Sequence, residues 1–155
     1  MSKEITKGME KAARSALNIL GYADNTEKKL REKLTRKGFN EDERDFAVGY
    51  AKKMGYLNEK RHLEMAVYSL ANTKLYGKKR IVQDLYVKGF KKSDIAQADF
   101  SEIDFPKNCA KRIRQTKKNY SDVNKLYIAL LRYGFSGDEI KEAFKIYKTE
   151  SEENE

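Results

Sequence analysis

Few side chains in this sequence have the types and spacing that enzyme chemistry requires. His62 is the only histidine, and Glu59 lies three residues before it, which places the two side chains on one face of a helix. A single histidine excludes a two-histidine metal site, and a solvated histidine–carboxylate pair is the commoner arrangement. We therefore predict an exposed pair without a catalytic role.

The single cysteine points to neither a disulfide nor a nucleophile. Cys109 has no partner for an internal disulfide, which is typical of a protein in the reducing cytoplasm. It shares an apolar helix face with Ala110 and Ile113, so we expect a buried, unreactive thiol. The sequence also has no P-loop, glycine-rich dinucleotide turn or nucleophile elbow. We predict that the protein is not an enzyme and has no catalytic residue, metal site or cofactor.

Basic side chains are better placed for binding than acidic ones are for catalysis. The net charge is +9, and residues 74–118 alone contribute +8. Lys107, Lys111, Arg114 and Lys118 follow one another at helical spacing and fall within about 60° of each other on a helix. Such a stripe is either a solvated face or a contact for a polyanion, and the spacing leaves both interpretations open.

A second basic group lies at the start of a predicted helix, in Gly77-Lys78-Lys79-Arg80. Cations at this end oppose the helix dipole, whereas free backbone N–H groups there bind anions. The corresponding helix starts carry Glu27 or Asp122, so we expect a partner to compensate for the charges here. The predicted partner-binding residues of both groups are Lys74, Lys78, Lys79, Arg80, Lys107, Lys111, Arg112, Arg114, Lys117 and Lys118.

A phrase that occurs three times predicts the elements that position these residues. It reads Leu30-x3-Leu34-x3-Gly38-Phe39, Ile81-x3-Leu85-x3-Gly89-Phe90 and Leu126-x3-Leu130-x3-Gly134-Phe135. Apolar residues four apart share a helix face, and a left-handed glycine then ends the helix while the phenylalanine packs on its last turn. Asn40 and Ser136 each precede a glutamate at capping-box spacing, so a new helix starts promptly after the stop.

A repeat period near 45 residues predicts an all-α fold: an elongated, curved tandem array of three three-helix repeats within one domain, residues 1–155. The repeats cover approximately residues 9–54, 58–99 and 106–148, and stacking between them supplies the stability. The acidic tail from Thr149 to Glu155 is expected to fray. No apolar run is long enough to span a membrane, and no apolar stripe is left over, which favours a monomer.

Three segments, in order, resemble proteins of the RecX family. The first is Ala13–Phe39, with Thr26-x3-Leu30-Arg31-x2-Leu34 and Lys37-Gly38-Phe39. The second, Gly55-Tyr56-Leu57-Asn58-Glu59-Lys60-Arg61, is similar to the family's Gly-Tyr-hydrophobic-Asp-Asp-x-Arg segment, with Asn58-Glu59 in place of the paired aspartates. The third is Gly77–Phe90, in which a basic pair precedes isoleucine and Lys88-Gly89 follows leucine.

The resemblance implies a regulatory protein that binds the RecA recombinase filament on single-stranded DNA and inhibits it, in homologous recombination, DNA repair and the SOS response. Such a protein is cytoplasmic and has no catalytic site or cofactor. DNA, single-stranded or double-stranded, is then a further partner of the basic residues. Two alternatives stay open: a generic basic helical-repeat protein that binds nucleic acid without a recombinase, and an adaptor that recognises another protein.

Overall fold

The computed structural model describes residues 4–153, and within this range the chain forms nine α-helices, one 3₁₀ turn and no strand. The first three helices form unit one, the next three unit two and the last three unit three. The helices are α1 Lys7–Tyr22, α2 Glu27–Arg36, α3 Glu41–Lys53, α4 Glu59–Asn72, α5 Lys78–Lys88, α6 Lys92–Ala96, α7 Phe105–Thr116, α8 Val123–Arg132 and α9 Gly137–Glu153, and the 3₁₀ turn is Lys117–Asn119. The predicted all-α class with three three-helix repeats is confirmed.

The repeated phrase ends the second helix of each unit as its chemistry requires. Gly38, Gly89 and Gly134 have φ angles of 92°, 100° and 99°, in the left-handed region. After each glycine, the phenylalanine N–H donates to the carbonyl of the second apolar residue of the phrase, at 3.2 to 3.3 Å. This is the Schellman pattern of hydrogen bonds, so the predicted helix stops are confirmed.

Capping boxes start the third helices of units one and three. The Asn40 side chain accepts from the Glu43 N–H at 2.9 Å, and the Glu43 carboxylate accepts from the Asn40 N–H at 2.8 Å. Ser136 and Glu139 exchange the same two bonds at 3.1 and 2.8 Å. Each box satisfies two backbone donors at a helix end, which typically stabilises the helix by about 1 kcal/mol.

The apolar side chains form two cores. Unit one has its own core, in which alanines let α1 and α3 approach closely: it contains Ala12, Ala16, Leu30, Leu34, Ala47, Val48, Ala51 and Leu57. Units two and three share a single larger core that runs from Leu63 on α4 to Ala143 on α9. The stability that the sequence analysis assigned to stacking is therefore concentrated in the contact between units two and three.

Neighbouring units meet where their second helices run head to tail. At the first junction, the Thr26 hydroxyl accepts from the Lys29 N–H as the cap of α2 and donates to the Lys88 carbonyl at the end of α5, at 3.2 Å. At the second junction, the Gly77 N–H donates to the Tyr133 carbonyl at the end of α8, at 2.7 Å. The positive end of one helix dipole thus faces the negative end of the next, which is favourable.

Glycine is needed at the second junction because the two backbones nearly touch. A Cβ atom on Gly77 would lie 2.2 Å from the carbonyl carbon of Gly134, and a Cβ atom on Gly134 would lie 2.4 Å from the Arg80 nitrogen. At the first junction, a Cβ atom on Gly89 would lie 2.7 Å from the Thr26 hydroxyl oxygen. The glycine of the phrase therefore ends a helix and also admits the start of the preceding unit's second helix.

The exposed area of the molecule reflects this linear stacking. The accessible surface is 10692 Å². A compact monomer of 18.0 kDa exposes roughly 8000 Å². Each unit of a tandem array contacts only its neighbours, so more of its surface stays in water. The predicted elongated shape agrees with this excess area.

The acidic end of the chain is more ordered than the sequence analysis expected. We expected fraying from Thr149 onward, but α9 continues to Glu153, and the Arg114 guanidinium on α7 pairs with the Glu150 carboxylate. The composition of the acidic tail alone does not predict this ion pair, because Arg114 lies on a different helix. Residues 154–155 lie outside the described range.

Two glycine substitutions separate the junction from the helix stop. Gly38→Ala removes a left-handed glycine whose Cβ position is open, and we expect a loss of about 1–2 kcal/mol in unfolding free energy. Gly89→Ala removes the same conformation and also displaces the Thr26 hydroxyl, which adds about 1–3 kcal/mol. Urea unfolding measures both variants. Equal losses would show that the close approach of Gly89 to the Thr26 hydroxyl contributes nothing to stability.

Candidate functional site

The two predicted basic groups lie beside each other at the second junction. The Asn108 side chain on α7 donates to the Ala71 carbonyl at 3.1 Å and to the Asn72 side-chain oxygen at 2.9 Å, which fixes α7 on the end of α4. The Arg112 guanidinium donates to the Lys74 carbonyl at 2.7 Å. The loop before α5, which carries Lys74, is thus held against the helix that carries the predicted stripe.

Seven of the ten predicted residues are exposed lysines with no carboxylate within 4.0 Å in residues 4–153. Two of them, Lys78 and Lys117, contact an aromatic side chain instead, and we term the other five the exposed lysine group. Three of them share the solvent side of α7 and its 3₁₀ extension, opposite the buried Cys109 and Ile113. Clustered like charges without partners repel one another in the free protein, and a negatively charged partner would relieve this repulsion. The group consists of Lys74, Lys79, Lys107, Lys111 and Lys118.

Three further predicted residues have partners inside the protein. Arg114 pairs with Glu150, as described above. Lys117 donates to the Tyr147 hydroxyl at 3.2 Å, and this bond holds the pKa of Tyr147 below its usual range. The Lys78 ammonium lies 5.0 Å from the centre of the Phe100 ring, a cation–π distance. These side chains are still exposed, but each already interacts with a group of the protein itself.

The remaining two, Arg80 and Arg112, belong to a stack of rings and guanidinium groups across the second junction. The Tyr76 and Tyr133 rings lie 6.2 Å apart with 14° between their planes. Arg112 lies 3.7 Å from the Tyr133 ring centre, and Arg80 lies 4.5 Å from that of Tyr76 and bonds Asp84 at 3.2 Å. Both arginines therefore stabilise the junction, and their predicted contact with a partner stays a prediction.

The charges at the start of α5 have compensation inside the protein, and the contact of these residues with a partner stays a prediction. Two N–H groups that the sequence analysis regarded as free already have acceptors, because Gly77 donates to Tyr133 and Lys79 donates to Gly134 at 3.4 Å. The C-terminal end of α8, with its negative dipole, faces Lys78, Lys79 and Arg80. The compensation is internal and comes from the next unit, which a local reading of the sequence cannot include.

His62 is not the solvated partner of Glu59 that its spacing suggested. Its ring lies half-buried, edge-on to Phe90 at 4.9 Å, while the Glu59 carboxylate accepts the Glu27 N–H at 2.5 Å. Burial lowers the pKa of His62, Asp24 and Glu59 raise it, and Lys88 lowers it. Its Nδ1 atom is buried without a hydrogen-bond partner. The side chain thus packs at the first junction, where burial favours its neutral form.

Cys109 is buried, as predicted, and burial raises the pKa of its thiol to about 12. A thiol that stays protonated at neutral pH is a poor nucleophile. Residues 4–153 contain no group of three or more histidine, cysteine, aspartate or glutamate side chains that could hold a metal ion. Within the same range, none of the helices has the length and hydropathy to cross a membrane.

An apolar stripe that the sequence analysis did not find lies on the outer side of α8. Val123, Ile128 and Leu131 are 66%, 49% and 41% exposed, so the expectation that no apolar stripe is left over is wrong. These residues are five and three positions apart, and α8 also carries the buried Leu126 and Leu130, so the sequence predicted an ordinary core helix. The monomeric state that we inferred from this absence stays a prediction.

These features define a class: a tandem helical-repeat protein whose described part presents a group of exposed lysines without acidic partners. The family model described as "RecX, first three-helix domain" matches residues 12–50. The regulatory protein RecX of Finegoldia magna is 31% identical over 144 residues, covering 85% of this chain and 69% of that protein. The chain therefore belongs to the RecX family of regulatory proteins.

Two further comparisons bear on length and fold. The regulatory protein RecX of Clostridioides difficile is 36% identical over 115 residues, and the match covers 74% of this chain. It covers only 53% of the Clostridioides protein, so the chain spans about half of that relative's length. The crystal structure of RecX from Lactobacillus salivarius is similar with a TM-score of 0.80 at 25% identity, covering 92% of this chain and 97% of that one.

The neutral state of His62 predicts a loss of stability in weak acid. Its pKa is lowered by folding, so the unfolded chain, with the ordinary value of 6.5, binds the proton more readily. This contribution is complete above 6.5 and decreases as the pH falls through 6.5 toward the folded-state pKa. Urea midpoints between about pH 8 and about pH 5 measure it. We expect His62→Phe to flatten the profile; an equally steep profile would assign the effect to other groups.

Proposed function

We propose that this protein binds the RecA recombinase filament and inhibits its activity in homologous recombination and DNA repair. The observation that supports this most strongly is the combination of RecX family membership with a group of five exposed lysines that have no acidic partner in the described residues. A filament on single-stranded DNA presents phosphates and acidic protein surface along one helical groove. An elongated array with a concentrated positive charge is suited to such a target.

The mechanism that we propose is a restraint on protomer movement. An array of units can contact several neighbouring protomers at once, and each weak contact raises the effective concentration for the next. A chain that bridges two protomers holds them at a fixed spacing, which opposes the movements that accompany ATP hydrolysis and filament growth. The head-to-tail second helices supply a continuous backbone along the array, and the exposed lysine group supplies the electrostatic contact.

The contact role within the ten predicted residues falls mainly on the exposed lysine group. Lys74 and Lys79 lie at the second junction. Lys107 and Lys111 lie on α7, and Lys118 lies in the 3₁₀ turn after it. Each is exposed, so binding does not first require the breaking of an internal ion pair. Arg80 and Arg112, in contrast, would have to leave their tyrosine partners before they met a phosphate. We therefore assign them to the shape of the surface and the lysines to its contacts.

A cytoplasmic location and a role in the SOS response follow from the same proposal, and the buried, unpaired Cys109 is consistent with a reducing compartment. The competing function is a basic helical-repeat protein that binds nucleic acid without a recombinase. The net charge of +9 favours it, since charge alone supplies most non-specific binding to DNA. The two functions differ in whether RecA-coated DNA is bound better than bare DNA.

RecA ATPase activity on single-stranded DNA tests the proposal. We expect inhibition at stoichiometric amounts of this protein, and a loss of at least about tenfold in potency for the triple variant Lys107→Glu, Lys111→Glu, Lys118→Glu. The matched control reverses three exposed basic residues of unit one, with Lys11→Glu, Arg14→Glu and Lys53→Glu, and should inhibit like the wild type. Equal loss in both triple variants would reduce the effect to net charge, and no inhibition by the wild type would refute the proposal.

The salt dependence of binding to RecA-coated and bare DNA separates the two functions. Each phosphate contact that a lysine makes on single-stranded DNA adds about 0.7 to the slope of log K against log salt concentration. If the lysines of α7 contact DNA, the triple variant lowers that slope by about 2. Anisotropy of labelled DNA with and without RecA measures both slopes. Equal affinity for bare and coated DNA would favour the generic nucleic-acid binder.

A further inference from the structure

The three units differ at one position between their second and third helices. Arg31, Val82 and Tyr127 each follow the first apolar residue of the repeated phrase, so they occupy the same place in their units. In unit one, Arg31 forms an ion pair with Asp45 on α3 at 2.6 Å, and this pair bridges α2 and α3. The gap between the two helices is therefore closed by side chains of opposite charge.

Unit three closes the same gap with an aromatic ring. The Tyr127 hydroxyl oxygen lies 3.1 Å from the position that a Cβ atom on Gly137 would occupy, at the start of α9. Because Gly137 has no side chain, the ring can extend from α8 across the first turn of α9. A large side chain of the protein itself thus spans the two helices, one turn before the position of α9 that corresponds to Asp45 in unit one.

Unit two leaves the gap open. Val82 stands where unit one has Arg31, and Ala96 stands where it has Asp45, five residues after the cap position of the third helix. Neither side chain can reach across. The result is a groove of about 620 Å³ between α5 and α6, whose lining contains no acidic residue. Its lining residues are Lys78, Val82, Gln83, Tyr86, Lys92, Ile95, Ala96, Ala98 and Phe100.

Two lysines are held at the rim of this groove by its aromatic walls. The Lys78 ammonium lies 5.0 Å from the Phe100 ring centre, and the Lys92 ammonium lies 5.5 Å from that of Tyr86. Neither ammonium has a carboxylate within 4.0 Å in the described range of the chain. The rim therefore offers two cations beside an apolar floor, and neither cation has an acidic partner in the described residues.

We propose that this groove binds a segment of a partner protein that inserts one large apolar side chain and places carboxylates on Lys78 and Lys92. The inserted side chain occupies the place that the Tyr127 ring fills in unit three. A protein segment fits better than a nucleobase, because Gln83 is the only neutral amide side chain in the lining and a base edge would lose hydrogen bonds that it makes in water. The proposal deepens the proposed function, on which it rests for a protein partner.

The test uses the intact chain and a fluorescein-labelled peptide, acetyl-Asp-Glu-Leu-Phe-Asp-Glu-amide, in an anisotropy titration. Two variants close the groove with the residues found in the other units. Val82→Tyr introduces the ring of unit three, and Val82→Arg with Ala96→Asp introduces the ion pair of unit one. Each should lower peptide affinity by at least about tenfold, as expected when a large apolar side chain loses its burial. Val87→Tyr is the control, because Val87 is 73% exposed on α5 and lies outside the groove.

Further peptides and variants establish the chemistry of the occupant. A peptide with serine in place of phenylalanine, and one with asparagine and glutamine in place of the acids, should each bind more weakly. Lys78→Gln with Lys92→Gln should reduce both affinity and its salt dependence. Equal binding of the peptide by the Val82→Tyr and Val87→Tyr variants would overturn the proposal. Binding of oligo-dT in the same groove would also overturn it, and this would appear as oligo-dT binding that competes with the peptide in the wild type and is lost in Val82→Tyr. Circular dichroism and urea midpoints confirm that each variant is folded.

RecA ATPase inhibition, measured on the same preparations, keeps this inference distinct from the proposed function. A wild-type chain that inhibits RecA but does not bind the peptide up to millimolar concentration overturns the groove and leaves the proposed function intact. A chain that binds the peptide through Val82 and does not inhibit RecA supports the groove and overturns the proposed partner.

Discussion

The structure depends on one kind of contact, which is made twice. In each case, the start of the second helix of one unit donates a hydrogen bond to the end of the second helix of the following unit. Thr26 and Gly77 each meet the carbonyl-bearing end of a second helix, and the left-handed glycine at that end allows the approach. This contact sets the spacing of the units and aligns their dipoles. The side-chain core that units two and three share adds to this arrangement at the second junction.

Much of what this chain presents to a partner follows from that contact. The lysines at the start of α5 are tolerated because the end of α8 lies beside them, so their presence is explained by the fold itself. The stacked Tyr76, Tyr133, Arg80 and Arg112 lie across the same junction and leave the two arginines only partly exposed. The features without an internal explanation are the exposed lysines outside the start of α5, which are Lys74, Lys107, Lys111 and Lys118, and the open groove in unit two.

The sequence predicted those parts of the structure that depend on neighbours along the chain. The helix stops at Gly38, Gly89 and Gly134, the capping boxes and the burial of Cys109 require only local spacing, and all were predicted correctly. The partners of Arg112, the packing of His62 on Phe90 and the acceptors of the α5 N–H groups depend on residues from other units, which periodicity does not pair. The sequence contains a sign of the groove, since aligned positions carry Arg31, Val82 and Tyr127. This difference predicts a groove only when the position of the third helix of each unit is known.

Gly38 has a consequence of its own. Gly89 and Gly134 each admit the helix start of a preceding unit, whereas the left-handed turn at Gly38 has the same backbone shape with open space around it. The end of α2 therefore has the backbone conformation and the open space that the start of another second helix requires. A further unit added at this side would reuse the contact that already joins the existing units.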